Sequence, residues 1–326
     1  MDINNPLVSV LIPAYNHEKF VQETIRSIIN QTYKNIELIV LDDGSKDSTW
    51  QRIQELKEAC EKRFARVYFE TKANEGTAKT QNKLIDMAQG EYIYLIASDD
   101  ISKPEAIETE INFLEKNKDY ALCVGDNEII DSSGVKCYWD KDRNIIYDKN
   151  KAKYKTFVEF LESRKHFRFT GKKFGTYETI YQANYIPNGY LIRKEVFDDF
   201  RYTTEAPLED FYLMLYISKY YKMKFINKVL FSYRWHDSNT IKNDEKMKEY
   251  TRKTRMYEDE IFQRIDKERC FPRLLEYFDK GVLYKYFGCP CLFEVKKYRN
   301  HSTKIIIVKL FNFQIYKKTK NIKRSL

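Results

Sequence analysis

Cysteine and histidine are scarce in this chain. Six cysteines (Cys60, Cys123, Cys137, Cys270, Cys289, Cys291) and four histidines are spread over 326 residues, which excludes a disulfide-dense secreted scaffold and fits a reducing compartment. Cys289-Pro-Cys291 is a close pair without a second pair at structural-zinc spacing, so no metal role is assigned to it. No apolar run approaches the ~20 residues needed to cross a bilayer. Met1 to Pro6 is polar and acidic rather than basic then apolar, so the sequence predicts neither a spanning helix nor a secretory signal. Gly-x-Gly-x-x-Gly and Gly-x-x-x-x-Gly-Lys-Ser/Thr are both missing, and with them two common cradles for phosphate.

What is present is a globular composition, 43% hydrophobic and 15% aromatic, with a net charge of +9. The length allows one large domain, or one domain with an appendage. The charge is concentrated at the end. His301 to Leu326 contains seven basic side chains and no acid, leaving +2 for everything before it. Ile305 to Val308, Leu310, Phe311 and Phe313 place apolar surface beside those cations, a combination suited to an anionic membrane surface through residues 304–326. A solvated terminus containing one packed strand is the alternative. No nucleic-acid reader motif accompanies the basic residues, so nucleic acid is not expected as a partner.

Strand-like and helix-like patterns alternate through the first 130 residues. Val8 to Ile12 and Ile36 to Leu41 are apolar, β-branched runs of the kind that form buried parallel strands. Val21, Ile25, Ile28 and Ile29 mark a helix face, with Asn16 as the expected cap. Ser45 or Asp47 would cap a helix containing Trp50, Ile53 and Leu56. Further strands are expected at Arg66 to Phe69 and Tyr92 to Ala97, with a helix over Thr77 to Ala88 and another opened by Pro104. This rhythm predicts an α/β fold with a doubly wound, mostly parallel sheet, whose ligand crevice lies beyond the carboxyl ends of the strands. From about residue 132 a polar stretch reads as a long loop. A helix is expected over Leu208 to Lys219, two short strands around Asn227-Lys228, and helical structure after about 240.

Two acidic pairs, Asp42-Asp43 and Asp99-Asp100, fall at the ends of two of these strands. Either pair alone could be a turn or a cap. Converging at one crevice, they could hold a hard divalent cation against phosphate oxygens. Asp210 stands in the first turn of a helix, where an acid complements the dipole in any case.

The run Val8-Ser-Val-Leu-Ile-Pro-Ala-Tyr-Asn16, Asp42-Asp-Gly-Ser45 with Asp47, Asn74-Glu-Gly76, Ser98-Asp-Asp100 and Leu208-Glu-Asp210 resembles, in that order, glycosyltransferase family 2, the inverting nucleotide-sugar enzymes with a GT-A fold. The resemblance covers roughly residues 6 to 240. It implies a GT-A domain over 1–240, with a nucleotide-sugar-binding half at 1–130 and an acceptor-binding half at 131–240, followed by a smaller C-terminal helical extension at 241–326 with a basic tail. It implies that Pro13, Ala14 and Tyr15 line the base pocket, that Asp42 accepts a hydrogen bond from uracil with Asp43 beside it, and that Asn74, Gly76 and Ser98 shape the nucleotide site. Asp99 becomes the expected ligand of Mg²⁺ or Mn²⁺, with Asp100 in support and His236, in Arg234-Trp-His236, close by. Asp210 becomes the expected catalytic base, with Glu209 next to it. Two positions depart from the family pattern: Ala97 stands where an acid is common, and Gln81 where an arginine is frequent.

The function so implied is transfer of a sugar from a UDP-sugar to a hydroxyl of a lipid-linked glycan acceptor, in bacterial surface-polysaccharide synthesis such as O-antigen or capsule. It would take place in the cytoplasm, peripherally on the inner face of the membrane. The alternatives are a nucleotidyltransferase that makes an activated sugar, and a non-catalytic lipid- or glycan-binding protein of the same fold.

Overall fold

A computed structural model describes residues 5–165, 167–261, 294–299, 303–310 and 313–321. The chain divides into two units, 1–259 and 260–326. The first begins with β1 (Val8–Ala14), α1 (Val21–Ile29), β2 (Ile36–Asp42), α2 (Thr49–Gln54), α3 (Lys57–Arg63), β3 (Arg66–Thr71), α4 (Thr77–Met87) and β4 (Tyr92–Leu95). The four strands are parallel, and β1 and β2 run in register from Val8 opposite Ile36 to Ala14 opposite Asp42. Every residue of β2 is buried, as a strand covered on both faces requires. Successive side chains serve opposite layers. Leu38 and Val40 pack with Val8, Val10 and Ile12 against α1, whereas Ile39 and Leu41 pack with Leu11 against α4.

The second part of the unit adds β5 (Ile101–Ser102), α5 (Ala106–Lys116), β6 (Tyr120–Ile130), β7 (Lys136–Trp139), β8 (Ile145–Ile146), α6 (Phe157–Ser163), α7 (Tyr177–Gln182), β9 (Tyr190–Arg193), α8 (Glu209–Tyr220), β10 (Lys222–Arg234) and α9 (Asp244–Ile261). The sheet order is β3-β2-β1-β4-β9-β6-β10-β5. β9 lies antiparallel between β4 and β6, and β5 antiparallel to the end of β10. The sheet is therefore mostly parallel, with two reversals that bear on the site. β9 brings the chain back beside the end of β4, and β5 ties the segment after β4 to residues 231–232.

Several expectations are corrected. Asn16 does not cap α1: it adopts φ 52° and bonds instead to the 45–46 loop, its N–H to Ser45 Oγ and its side-chain oxygen to Lys46 N–H. Asp47, rather than Ser45, serves the start of α2, by accepting from Thr49 N–H at 3.0 Å. The stretch after 132 contains β7 and β8, because Cys137 and Trp139 alternate with outward-facing neighbours and enter a third apolar cluster with Phe157, Phe160 and Trp235. Residues 222–234 form one strand, with irregular pairing to β6 between Phe225 and Val229, where two strands were expected.

The largest correction lies beyond 240. The helix expected after 240 is present as α9, with residues 244–259 in the first unit. In the second unit, the described residues form an antiparallel three-stranded sheet of β11 (Glu294–Arg299), β12 (Thr303–Leu310) and β13 (Phe313–Asn321), not helix. The β-branched run Ile305 to Val308 favours extended backbone. Cys270, Cys289 and Cys291 lie outside the described residues, while Cys60, Cys123 and Cys137 are buried free thiols. No described helix is long and apolar enough to cross a membrane.

Candidate active site

The carboxyl ends of β1, β2 and β4 open on one cleft of about 280 Å³. β1 contributes Pro13, Ala14, Tyr15 and His17, and β2 contributes Asp43. Thr77, Thr80 and Gln81 come from α4, and Leu95 to Ser98 from the end of β4. Asn188 to Tyr190 enter on the return into β9, and Asp210 at the start of α8. Tyr15 is 42% exposed at the strand end, a position from which a phenol ring can stack on a flat base.

Asp43, not Asp42, faces this space. The Asp42 carboxylate accepts from Thr71 Oγ1 at 2.6 Å and from the Ser45 hydroxyl and N–H, and is occupied within its own loop. Asp42, from which a uracil contact was expected, does not line the cleft in this arrangement. Gly44 allows that loop: its φ is 71°, and a Cβ there would stand 2.8 Å from the Asn74 nitrogen and 2.9 Å from the Lys72 carbonyl. Asp43 bonds to the Lys72 ammonium and accepts from Glu75 N–H and Gly76 N–H, each at 3.0 Å. Burial pushes its pKa up, but the Lys72 bond and the Glu75 N–H outweigh burial and hold it below the usual carboxylate range. Asn74 and Gly76 do not line the cleft. Their segment anchors Asp43 and starts α4.

Asp99 lies behind the cleft wall, 9% exposed. Its Oδ2 is 2.9 Å from His236 Nε2 and 3.9 Å from His17 Nε2. His17 Nδ1 in turn meets Ser98 Oγ at 2.7 Å, and His236 Nδ1 meets Ser238 Oγ at 2.8 Å. Burial raises the Asp99 pKa, but the His236 hydrogen bond and the charges of both imidazoles bring it below its ordinary value. Burial pushes the His17 pKa down. Asp100 points the other way, accepting from the Arg234 backbone N–H at 2.9 Å and from Asn188 at 3.3 Å. Burial and the neighbouring Asp99 raise its pKa well above the ordinary value. Asp100, expected in support of Asp99 at the metal, is engaged with the Arg234 backbone and Asn188.

Among the described residues, no three His, Cys, Asp or Glu side chains form a metal cage. Asp99 with His236 gives one carboxylate and one imidazole. That donor set fits a cation drawing its remaining ligands from water and a diphosphate, as Mg²⁺ and Mn²⁺ do in nucleotide sites. The placement depends on Arg234, which is fully buried. It donates from Nε to the Asp99 carbonyl at 2.7 Å, pairs with Glu23, and lies 4.9 Å over the Phe20 ring.

Asp210 opens onto the cleft with its side chain exposed, while protein surrounds it on its other sides. Burial raises its pKa. Bonds from Phe211 N–H at 2.7 Å and Asn184 at 2.9 Å only partly offset that. Glu209 is pushed up to about 7, chiefly by burial, with Asp210 adding to it. A carboxylate of raised basicity that solvent can still reach is suited to accepting a proton.

His17, Asn184 and Asn188 were missed in the sequence, and Gly189 with them. His17 follows the Tyr15-Asn16 pair by one residue, and Asn188-Gly189 is a turn dipeptide. Gly189 has φ 75°, and a Cβ there would lie 2.1 Å from the Phe231 ring.

Residues 9–180 match the sequence profile of Glycosyl transferase family 2. The chain belongs to this family. It is 30% identical over 245 residues to Glycosyltransferase GlyG of Streptococcus pneumoniae, covering 73% of this chain and 74% of that one. Two solved structures share the GT-A fold, each match covering 85% of this chain and 76% of the other. S. aureus TarS 1–349 in complex with UDP-GlcNAc has a TM-score of 0.53 at 15% identity. The mannosyltransferase PcManGT of Pyrobaculum calidifontis, in complex with GDP-Man and Mn²⁺, has a TM-score of 0.52 at 14% identity.

Proposed function

We propose that this glycosyltransferase moves a sugar from a UDP-sugar to a hydroxyl of a lipid-linked glycan, with inversion at the anomeric carbon. The observation that carries the reading is the Asp210 carboxylate, solvent-reachable and of raised basicity, on the same cleft as Tyr15, Asp43 and Ser98. UDP-GlcNAc bound to TarS supports a UDP-sugar donor, and Mn²⁺ bound to PcManGT supports a divalent cation.

In this mechanism the Asp210 carboxylate takes the proton of the acceptor hydroxyl. The freed oxygen forms its bond to the anomeric carbon as the bond from that carbon to the diphosphate oxygen breaks, and UDP departs with the electron pair. Tyr15 stacks on the base and Asp43 orders the 72–76 loop beside it. Asp99 and His236 would hold a divalent cation, which supplies charge neutralisation to the leaving diphosphate. Residues 304–326 would dock on the anionic inner leaflet of the cytoplasmic membrane, each basic side chain adding about 1 kcal/mol. Such docking would bring the cleft to lipid-linked acceptors used in surface-polysaccharide synthesis.

The test is a screen of UDP-, GDP- and dTDP-sugars with a synthetic diphospholipid acceptor, in Mg²⁺ and in Mn²⁺, with the product anomer read by NMR. The expected result is cation-dependent turnover of a UDP-sugar to the inverted product. Turnover confined to GDP- or dTDP-sugars, or a retained anomer, overturns the donor or the stereochemical assignment.

A further inference from the structure

Helix α9 lies outside the cleft lining and outside residues 9–180, yet it is bonded to both segments that present Asp210. The N–H of Leu208, just before α8, donates to Thr254 Oγ1 at 3.1 Å, and Thr254 is fully buried. The next residue, Arg255, donates from Nε to the Tyr181 carbonyl at 3.0 Å and from its terminal nitrogen to the Gln182 carbonyl. Its guanidinium lies 5.8 Å from the centre of the Phe211 ring. Gln182 ends α7, two residues before Asn184, whose amide donates to Asp210 Oδ2 at 2.9 Å.

These bonds fall where helices need partners. The first N–H groups and last carbonyls of a helix have no acceptors or donors within it. Leu208, the N-cap residue of α8, makes no side-chain cap bond, and Thr254 reaches in from another helix to its N–H. The carbonyls at the end of α7 receive a charged donor in Arg255, the stronger kind of hydrogen bond. α9 is itself anchored on both helices. Glu258 pairs with Lys219 of α8 at 3.0 Å with both side chains buried, Tyr177 OH of α7 donates to Glu258 at 2.8 Å, and Tyr181 OH donates to Asp259 at 2.7 Å.

We propose that Thr254 and Arg255 are positioning residues for sugar transfer, adjacent side chains of one strap that fix the Asp210 segment against the Asn184 segment. The inference rests on reading Asp210 as the base. A base displaced by a fraction of an ångström loses its alignment with the acceptor hydroxyl, and misplacement on the scale of 1 Å costs rate far more than binding.

Hydrogen exchange followed by mass spectrometry on the full chain decides the strap without any substrate. In Thr254→Val and in Arg255→Gln, backbone exchange of both 183–188 and 205–212 should rise about fivefold to tenfold, the equivalent of one lost hydrogen bond. Residues 8–14 and 36–42 should remain as protected as before, and Thr254→Ser should restore protection. Exchange that rises only within 244–259 overturns the proposal. Should Thr254→Val fail to fold, Arg255→Gln carries the same comparison. UDP release from a panel of UDP-hexoses supplies the second reading: kcat should fall about tenfold or more with donor KM within twofold. A rise in KM with unchanged kcat counts against a positioning role. UDP release undiminished in Asp210→Asn sinks the base assignment, while the exchange result still decides the strap.

Discussion

The acidic pairs Asp42-Asp43 and Asp99-Asp100 read alike, each beyond or at the end of a buried parallel strand, yet the fold uses them in opposite order. In the first pair the leading residue is consumed by its own loop, through Ser45 and Thr71, and the second faces the cleft. In the second pair the leading residue meets two imidazoles, and the second turns inward to the Arg234 N–H. The two carboxylates of each pair meet different surroundings. Which side meets ligand is decided by what packs behind. For Asp43 that is the 72–76 loop, and for Asp100 it is the end of β10.

The sharpest way to break this contrast is to substitute within the second pair. Asp99→Ala should lower turnover about 10²- to 10³-fold, the scale of losing one electrostatic contact to a leaving group. It should also abolish the Mn²⁺ dependence of UDP binding measured by calorimetry. Asp100→Asn keeps an acceptor for Arg234 N–H and should leave turnover within about tenfold. Equal losses would erase the distinction between the two.

Within the first pair the expected effects are smaller. Asp43→Ala leaves the Lys72 ammonium, 9% exposed, without its buried partner. Glu75 remains 3.2 Å from that ammonium, so the substitution should cost about 1–3 kcal/mol in urea unfolding and weaken UDP binding. Asp42→Asn should cost about 1–2 kcal/mol and leave UDP affinity unchanged.

The pH dependence sharpens the same comparison. The pKa of Asp43 is lowered in the fold, so its stabilisation is complete above the unfolded value of about 3.9 and is lost as pH falls through the lower folded value. Asp43→Asn should flatten the acid limb of a stability–pH curve. Glu209 has the opposite sign. Its folded value is raised to about 7, so any stabilisation is present below its unfolded value and disappears as pH rises through 7. The smallest expected effect is in the rate profile, where Glu209→Gln should remove an inflection near pH 7 and leave the lower-pH limb in place.

Much of the first 130 residues could be read because the signals there are local. Val8 to Ile12 and Ile36 to Leu41 announce buried strands by composition alone, and the acidic residues that end a parallel strand must lie at its carboxyl edge. Asp210 was legible through its motif. His236 was expected beside Asp99 through Arg234-Trp-His236, but His17 was not, since it reaches Asp99 only because β1 pairs with β4 across more than eighty residues. The same holds for Asn188, which reaches Asp100 only because β9 inserts antiparallel beside β4. The sheet at 294–321 was misread because charged, aromatic-rich segments carry no decisive period.

The sequence by itself determined the alternation of strands and helices in the first 130 residues, the edge where the carboxylates gather, and the family. These follow from short-range apolar patterning and from motifs whose spacing is written along the chain. Only the tertiary structure decided that Asp43 rather than Asp42 meets the cleft and that His17 joins His236 beside Asp99, because long-range strand pairing and burial, not neighbours in sequence, set where a side chain can point.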